Sequence, residues 1–464
     1  MSQSGLHALA LRVDRDAPTR LPAQLAAQIR ARVRDGVLSA GARLPSTRAV
    51  ASAVGVSRAV ASAAYDQLVA EGWLESRTGA GTYVRHVDVP TPRRDRPAAA
   101  SAAEVPPRVD LRPGEPWTPE VASPAWRRAW REVAQAPPPG GYPDPRGISE
   151  LRAEVADHVT RTRGLPCAPE RVMITSGTSH GLTLLLHAWR RPGAALAVED
   201  PGYRAAAEAA TSSGWAVWDT PVDESGLDPA ALISAPESVE AAYVTPSHQY
   251  PMGVLMPIDR RLELLAWARS RDAIVIEDDY DSEFRYDVAP LPTLADLDPQ
   301  RVAYLGTVTK TLGAGIRLGW LVAEPSVVER LAETREVMHD FPPWPIQRAM
   351  LSLLRDGEWD RIVRSARRRY AQRDRLIERA LGAYGRLSGV GAGIHTTLLL
   401  DPAVAKAVAD DVARCGISVR TLSESARGRA DVEGLVIGYG NVTDEGLEFA
   451  IARIADSLRR TLSG

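Results

Sequence analysis

Apolar positions recur with a helical period from Pro22 to Arg34. Leu25, Ile29 and Val33 fall on one stripe, and Pro22 suits a first helical turn. Gly36 and Gly41 break the pattern. Ser46 can cap a second short helix through Val54, closed by Gly55, and Ser57 a third, through Leu68 to about Glu71, closed by Gly72. Trp73-Leu74-Glu75 and Thr82-Tyr83-Val84 then flank a glycine-rich turn and read as two short strands. Three helices followed by a hairpin predict a winged helix-turn-helix over residues 1–86, a DNA-binding shape.

From 87 to 108 the apolar period disappears and Pro, Ala and Arg dominate, the composition of a linker. Over 109–464, short β-rich runs (172–175, 196–198, 242–245, 274–276, 302–305, 320–322) alternate with amphipathic stretches near 180–190, 203–212, 258–271 and 325–338. That rhythm predicts an α/β domain on a mostly parallel sheet. After about Arg361 a long arginine-rich helix is followed by strand patterns at 395–400 and 435–439 among helices. A smaller α+β lobe is expected over about 361–464.

The 464 residues are 45% hydrophobic and 25% charged, which excludes a wholly disordered chain, a fibrous repeat and a disulfide scaffold. No apolar run reaches the length of a membrane span, and Arg12, Asp14 and Arg15 interrupt the short apolar start. A soluble cytoplasmic protein is expected, with Cys167 and Cys415 as reduced thiols and no metal site. The net charge of −2 is uneven: residues 1–86 carry 11 arginines and 6 acids, a net of +5, and the rest −7. A basic module on an acidic body fits nucleic-acid binding at one end, although solvated arginines on a small helical module give the same balance.

In a helix-turn-helix the second helix of the motif enters the major groove by its N-terminus, here Ser57-Arg58-Ala59-Val60. Ser57 and the open N–H groups beside it suit a phosphate, and Arg58 a base edge or phosphate. Arg48 and Arg77 are placed for further phosphates, and Gly79 and Gly81 let the wing backbone approach the duplex. The strings Gly41-Ala-Arg-Leu-Pro-Ser-Thr-Arg48, Val56-Ser-Arg58, Ala64-Tyr65, Glu71-Gly-Trp73 and Arg77-x-Gly-x-Gly-Thr82 closely resemble the GntR-family DNA-binding domain over about 18–85. Many members have Asn-Thr after the Ser-Arg, where this chain has Ala59-Val60, so base readout there is expected to be apolar.

Of 56 basic residues only Lys310 and Lys406 are lysines. Lys406 falls mid-helix, as a surface residue would. Lys310 follows a strand in Leu305-Gly-Thr-Val-Thr-Lys310, a turn rich in hydroxyls, and chemistry that needs a primary amine points to it. Ile274-Val-Ile-Glu-Asp-Asp-Tyr280 runs a buried-type strand into carboxylates, with Asp278 and Tyr280 on one face. Thr175-Ser-Gly-Thr-Ser179 follows a strand and opens a helix, as a phosphate cradle does. Tyr203 at a helix start can stack on a flat ring, and Arg317 can reach the same phosphate.

Together these residues look like the fold-type-I pyridoxal-phosphate domain of aspartate-aminotransferase-like proteins. Tyr142-Pro-Asp-Pro-Arg-Gly147, Glu199-Asp-Pro-Gly-Tyr203, Thr245-Pro-Ser-His-Gln-Tyr-Pro-Met-Gly253, Glu277-Asp-Asp-Tyr-Asp-Ser-Glu-Phe284 and Gly306-Thr-Val-Thr-Lys310 resemble more closely the MocR (GabR-like) subfamily of GntR regulators, over nearly the whole chain. The resemblance implies pyridoxal 5'-phosphate bound covalently through Lys310, with Asp278 on the pyridinium nitrogen. It places Tyr280 and His248 near the ring hydroxyl and Tyr203 stacked on the ring. Gly177, Thr178, Ser179, Thr307, Thr309 and Arg317 would hold the phosphate, and Tyr142 would reach the phosphate in the partner subunit. It further implies a head-to-tail homodimer on double-stranded operator DNA, answering to a small-molecule effector.

Relatives often carry Gln residues where this chain has Ser179-His180, and a proline where it has Ala314. An aminotransferase also needs an arginine for the substrate carboxylate, and the expected positions hold Glu433 or Gly434, and Ala205 in place of an amino-acid sensor's arginine. Arg204 or Arg420 could substitute. The expected function is a transcription regulator that answers to pyridoxal phosphate, as PdxR-like members of the subfamily do in vitamin B6 synthesis, and not an enzyme. The alternatives are a sensor of an amine or amino acid, and an active aminotransferase.

Overall fold

The computed structural model describes residues 11–77, 80–86, 108–118, 122–286, 292–389, 391–428 and 432–463. They fall in two compact units, Met1–Glu104 and Val105–Gly464. The expected linker, apart from Arg108, and Gly79 of the wing lie outside the described residues.

In the first unit, helices Leu21–Arg34, Thr47–Val54 and Arg58–Ala70 precede a hairpin of Leu74–Arg77 and Gly81–Val84, with Leu74 opposite Val84. The serines cap as the pattern predicts: Ser46 Oγ accepts from the Ala49 N–H (3.2 Å) and Ser57 Oγ from the Val60 N–H (3.3 Å). Gly55, at φ 68°, takes the left-handed turn that ends one helix so that Ser57 can begin the next. Leu25, Ile29, Val50, Leu68, Leu74 and Val84 form the core that ties the helices to the wing. Burial of each large apolar side chain contributes about 1.5–3 kcal/mol.

The second unit is built on an eight-stranded sheet. Its spatial order is Val172–Thr175, Gly319–Val322, Val302–Thr307, Ile274–Asp279, Val239–Val244, Ala195–Asp200, Ala216–Asp223 and Gly226–Leu227. Side chains alternate between two cores. Ile174, Val244, Val275 and Tyr304 pack on one face with Leu151 and Leu264. Met173, Tyr243, Ile276 and Leu305 pack on the other with Leu182 and Leu331. Helices on both faces leave no polar side, which is why these strands read as continuous apolar runs.

Gly319–Val322 runs antiparallel to both its neighbours, because the connection through Thr309–Leu312 holds no crossover helix of the length a parallel return needs. Ala216–Asp223 was not among the patterned runs. It lies near the sheet edge, half exposed, with Pro221 in it. The long arginine-rich helix is Glu358–Leu381, and beyond it lies a four-stranded antiparallel sheet of Arg386–Ser388, His395–Leu400, Glu433–Gly438 and Arg420–Thr421. Val109–Asp110 pairs in parallel with Ile417–Ser418 as a separate two-stranded sheet, so the first described residues of this unit are tied to the smaller lobe. Among the described residues no helix is long and apolar enough to cross a membrane. Cys167 and Cys415 are free and half-buried.

Candidate functional site

Four neighbouring parallel strands deliver their carboxyl ends to one place, through Asp200, Thr245, Asp278 and Thr307. This is where α/β sheets bind ligands. A cavity of about 770 Å³ opens there, lined from the sheet by Tyr243, Asp278, Thr307 and Lys310 and from the smaller lobe by His395 and Arg420.

Asp278 and Asp279 are both buried, at 4% and 5% exposure, and strand alternation sends them to opposite faces. Asp279 turns into the core, in an ion pair with Arg163 (2.6 Å), and accepts from the Tyr304 hydroxyl (2.6 Å). Asp278 turns into the cavity. Its Oδ2 accepts from Tyr243, while Oδ1 has no hydrogen-bond partner within normal distance among the described residues. Burial pushes this carboxyl up to about 7, against the opposing hydrogen bonds and the nearby Lys310 charge. A buried carboxylate with an open oxygen is the acceptor that the ring N–H of a pyridinium needs.

Lys310 sits in the helix Thr309–Leu312, and its Nζ donates to the Gly114 carbonyl at 2.6 Å. Burial lowers its ammonium pKa, with the Asp281 and Asp278 charges opposing. Lys406 is on an exposed helix face, paired with Asp410.

The phosphate-type turn is also assembled. Gly177, at φ 109°, precedes the helix Thr178–Ala188. A Cβ there would stand 3.6 Å from Thr307 Oγ1, 3.8 Å from Arg317 Nη1 and 3.9 Å from Thr309 Oγ1. A glycine backbone, two hydroxyls, a helix N-terminus and a guanidinium thus converge, which is the chemistry of an anion cradle. Ser179 Oγ lies 3.3 Å from the Tyr203 hydroxyl. His180 buttresses the turn from behind, its Nδ1 accepting from the Ser176 N–H (2.9 Å) and its Nε2 2.9 Å from Asp340. Ala314 lines the cavity.

Tyr203 lies over the mouth, in parallel contact with Tyr243 at 6.5 Å between ring centroids. Tyr280 lines the cavity, but His248 stands behind it: its Nδ1 is 3.1 Å from the Tyr280 hydroxyl and 2.8 Å from Asp281 Oδ2, and it is 3% exposed. Of the 245–253 motif, Thr245 and Tyr250 line the cavity, Tyr250 standing two residues beyond His248. Tyr142 is 81% exposed, packed on Phe341, and outside this cavity.

Gly434 does not line the cavity, and a Cβ on it would meet the Leu398 carbonyl oxygen at 2.3 Å. Arg204 and Arg420 do line it. Arg420 Nη1 donates to the Tyr250 hydroxyl (3.1 Å), and Arg204 Nη1 to the Glu424 carbonyl (3.3 Å).

In the first unit Arg48, Ser57, Arg58 and Gly81 are exposed. Arg77 is held by Glu75 (2.8 Å) and lies 4.6 Å over the Tyr83 ring, so its charge is partly compensated. Arg43, which sequence reasoning did not single out, reaches the wing, where a Cβ on Gly81 would stand 3.1 Å from its Nε. Tyr243, Gly114, Tyr250 and His395 were also missed as site residues. Tyr243 sits in an ordinary buried run, and only the register of its strand against Ile274–Asp279 brings it to Asp278.

Comparison with known proteins agrees with both units. Residues 108–454 match the aminotransferase class I and II family, and residues 21–84 the bacterial regulatory proteins of the gntR family. The HTH-type pyridoxine biosynthesis transcriptional regulator PdxR of Corynebacterium glutamicum is 38% identical over 446 residues, 95% of this chain and 96% of that protein. The probable rhizopine catabolism regulatory protein MocR of Rhizobium meliloti is 31% identical over 455 residues, 93% of this chain and 92% of that protein. Among solved structures, an archaeal alanine:glyoxylate aminotransferase matches with a TM-score of 0.69 and 25% identity, over 77% of this chain and 92% of that one. The chain belongs to the GntR-family regulators that carry an aminotransferase class I and II domain, the MocR (GabR-like) group.

Proposed function

We propose that this protein binds pyridoxal 5'-phosphate in the cavity at Lys310, that occupancy of the cavity sets its affinity for operator DNA, and that it regulates vitamin B6 synthesis rather than turning over a substrate. The observation that carries the reading is the pairing of a buried carboxylate oxygen without a partner among the described residues, Asp278 Oδ1, with a half-buried lysine and an anion cradle around one cavity. The likeness to a named pyridoxine biosynthesis regulator supports the choice of pathway. When bound, the cofactor supplies an aldehyde for covalent attachment and an electron-accepting ring. Lys310 presents the amine, Asp278 holds the ring nitrogen's proton, and Gly177, Thr178, Ser179, Thr307, Thr309 and Arg317 hold the phosphate. Tyr203 covers the ring, while Tyr280, with His248 behind it, flanks the ring hydroxyl. Exposed Tyr142 serves the site of a partner subunit in a head-to-tail homodimer. Ser57, Arg58, Arg48, Arg77 and the wing meet double-stranded operator DNA. The test is operator affinity measured with and without pyridoxal phosphate: a change with no amine added supports cofactor sensing, and equal affinities reject it.

A second reading is favoured by one observation, the two guanidinium groups of Arg204 and Arg420 on the cavity wall. They suit the carboxylate of an amino-acid effector. A response of operator affinity to an added amino acid, lost in Arg420→Ala, would select this reading over cofactor sensing alone.

A further inference from the structure

His395 begins the strand His395–Leu400, opposite Gly438 in the neighbouring strand. It lines the cavity and is 2% exposed. Its ring is packed 5.0 Å from that of His248 and 5.4 Å from that of Tyr250. The imidazole is hydrogen-bonded to the Pro251 carbonyl, while Nε2 has no partner among the described residues. A carbonyl only accepts, so the bonded nitrogen, Nδ1, carries the hydrogen. In a neutral imidazole Nε2 is then a lone pair without a donor.

Burial holds the ring neutral, and the charges around it act the same way. His248 and Lys310 both disfavour a proton on it. His248 itself stands against Asp281 and Tyr280, so the Asp281 charge is taken up by a nearer imidazole. A buried acceptor left without a donor is costly, and such groups in native structures are satisfied by a bound partner.

We propose that His395 is a specificity-determining residue of the cavity, whose Nε2 accepts a hydrogen bond from an N–H donor on the ligand substituent held beside Lys310. This rests on the pyridoxal phosphate reading above, because it takes the ring phosphate to be the occupant.

Two phosphates that do not bind lysine covalently test it on the full-length protein. Pyridoxamine 5'-phosphate carries an amine at the carbon beside Lys310, and 4-deoxypyridoxine 5'-phosphate carries a methyl there. Their dissociation constants are measured by equilibrium dialysis. The wild-type chain should prefer the amine by about tenfold. His395→Phe should erase that preference while still binding the methyl compound, which reports that the variant is folded. His395→Gln, which returns an acceptor oxygen near the position of Nε2, should restore most of it. A wild-type chain without preference, or a His395→Phe chain that keeps it, overturns the assignment. Should the wild-type chain bind neither phosphate, the pyridoxal phosphate reading falls first, and the assignment of His395 with it.

Discussion

Tyr243 donates its phenol hydrogen to one oxygen of Asp278 and leaves the other oxygen of the same carboxylate in the cavity without a partner among the described residues. The two residues come from neighbouring parallel strands. The hydrogen bond aims the carboxylate, and burial sets its proton affinity. In the folded chain burial pushes the carboxyl up to about 7, while an unfolded chain holds it near the ordinary value of about 3.9. Between those values the unfolded state loses the proton first, so Asp278 lowers stability progressively as pH rises from about 4 to about 7. A pyridinium in the cavity favours the ionised carboxylate and removes that cost. Pyridoxal phosphate should therefore raise the thermal midpoint more at about pH 7.5 than at about pH 6, and Asp278→Asn should flatten the difference. Equal shifts at both pH values, measured by differential scanning fluorimetry, would place the ring nitrogen elsewhere.

Lys310 is the half-buried amine of the cavity, and Lys406 is exposed and paired with Asp410. Borohydride treatment of the yellow, cofactor-loaded protein should attach the ring to the peptide containing Lys310. Lys310→Ala should lose the visible band yet retain weaker binding through the cradle and Asp278. Mass spectrometry that finds the label on Lys406, or no label, rejects the assignment.

Arg58 is exposed at the start of its helix, while Arg77 is held by Glu75 and lies over Tyr83. Arg58→Ala should cost about 1–3 kcal/mol on a specific operator if it reads a base. Arg77→Ala should weaken binding to all sequences and reduce the salt slope by less than about one phosphate contact, because Glu75 already offsets its charge. Fluorescence anisotropy over a salt series separates the two. A uniform loss for both variants would remove Arg58 from base readout.

The elements were legible where a single period dominates. The helix pattern over 22–34, the caps at Ser46 and Ser57 and the buried run 274–279 reflect local chemistry that a linear string carries. The cradle was legible because glycine and hydroxyls cluster in sequence at 175–179 and 307–310. What stayed hidden depends on register and alternation. Tyr243 meets Asp278 only across two strands. The 245–253 motif turns Tyr250 to the cavity and His248 toward Asp281, and no periodicity in that loop distinguishes them. His395 looked like the first residue of an apolar strand. Ala216–Asp223 escaped because a half-exposed strand near the sheet edge need not be apolar on both faces.

Arg163 and Asp279 form an ion pair with both side chains 4% exposed, on the core side of the strand that presents Asp278. Asp279 also accepts from Tyr304, so its carboxylate is both charge-paired and hydrogen-bonded. Removing one partner of such a pair leaves the other charge buried without compensation, a cost of about 3–5 kcal/mol. Arg163→Met should destabilise the protein by that amount in urea unfolding of the cofactor-free chain. Replacing both partners, as Arg163→Met with Asp279→Leu, removes the stranded charge and should recover more than half of the loss. The two changes would then be strongly non-additive. Cofactor affinity gives a second measure of the same geometry. If the pair's role is to fix the strand end, the single variant should weaken pyridoxal phosphate binding and the double variant should restore part of it. Additive losses, with no recovery in the double variant, would show that Arg163 and Asp279 act through separate contacts.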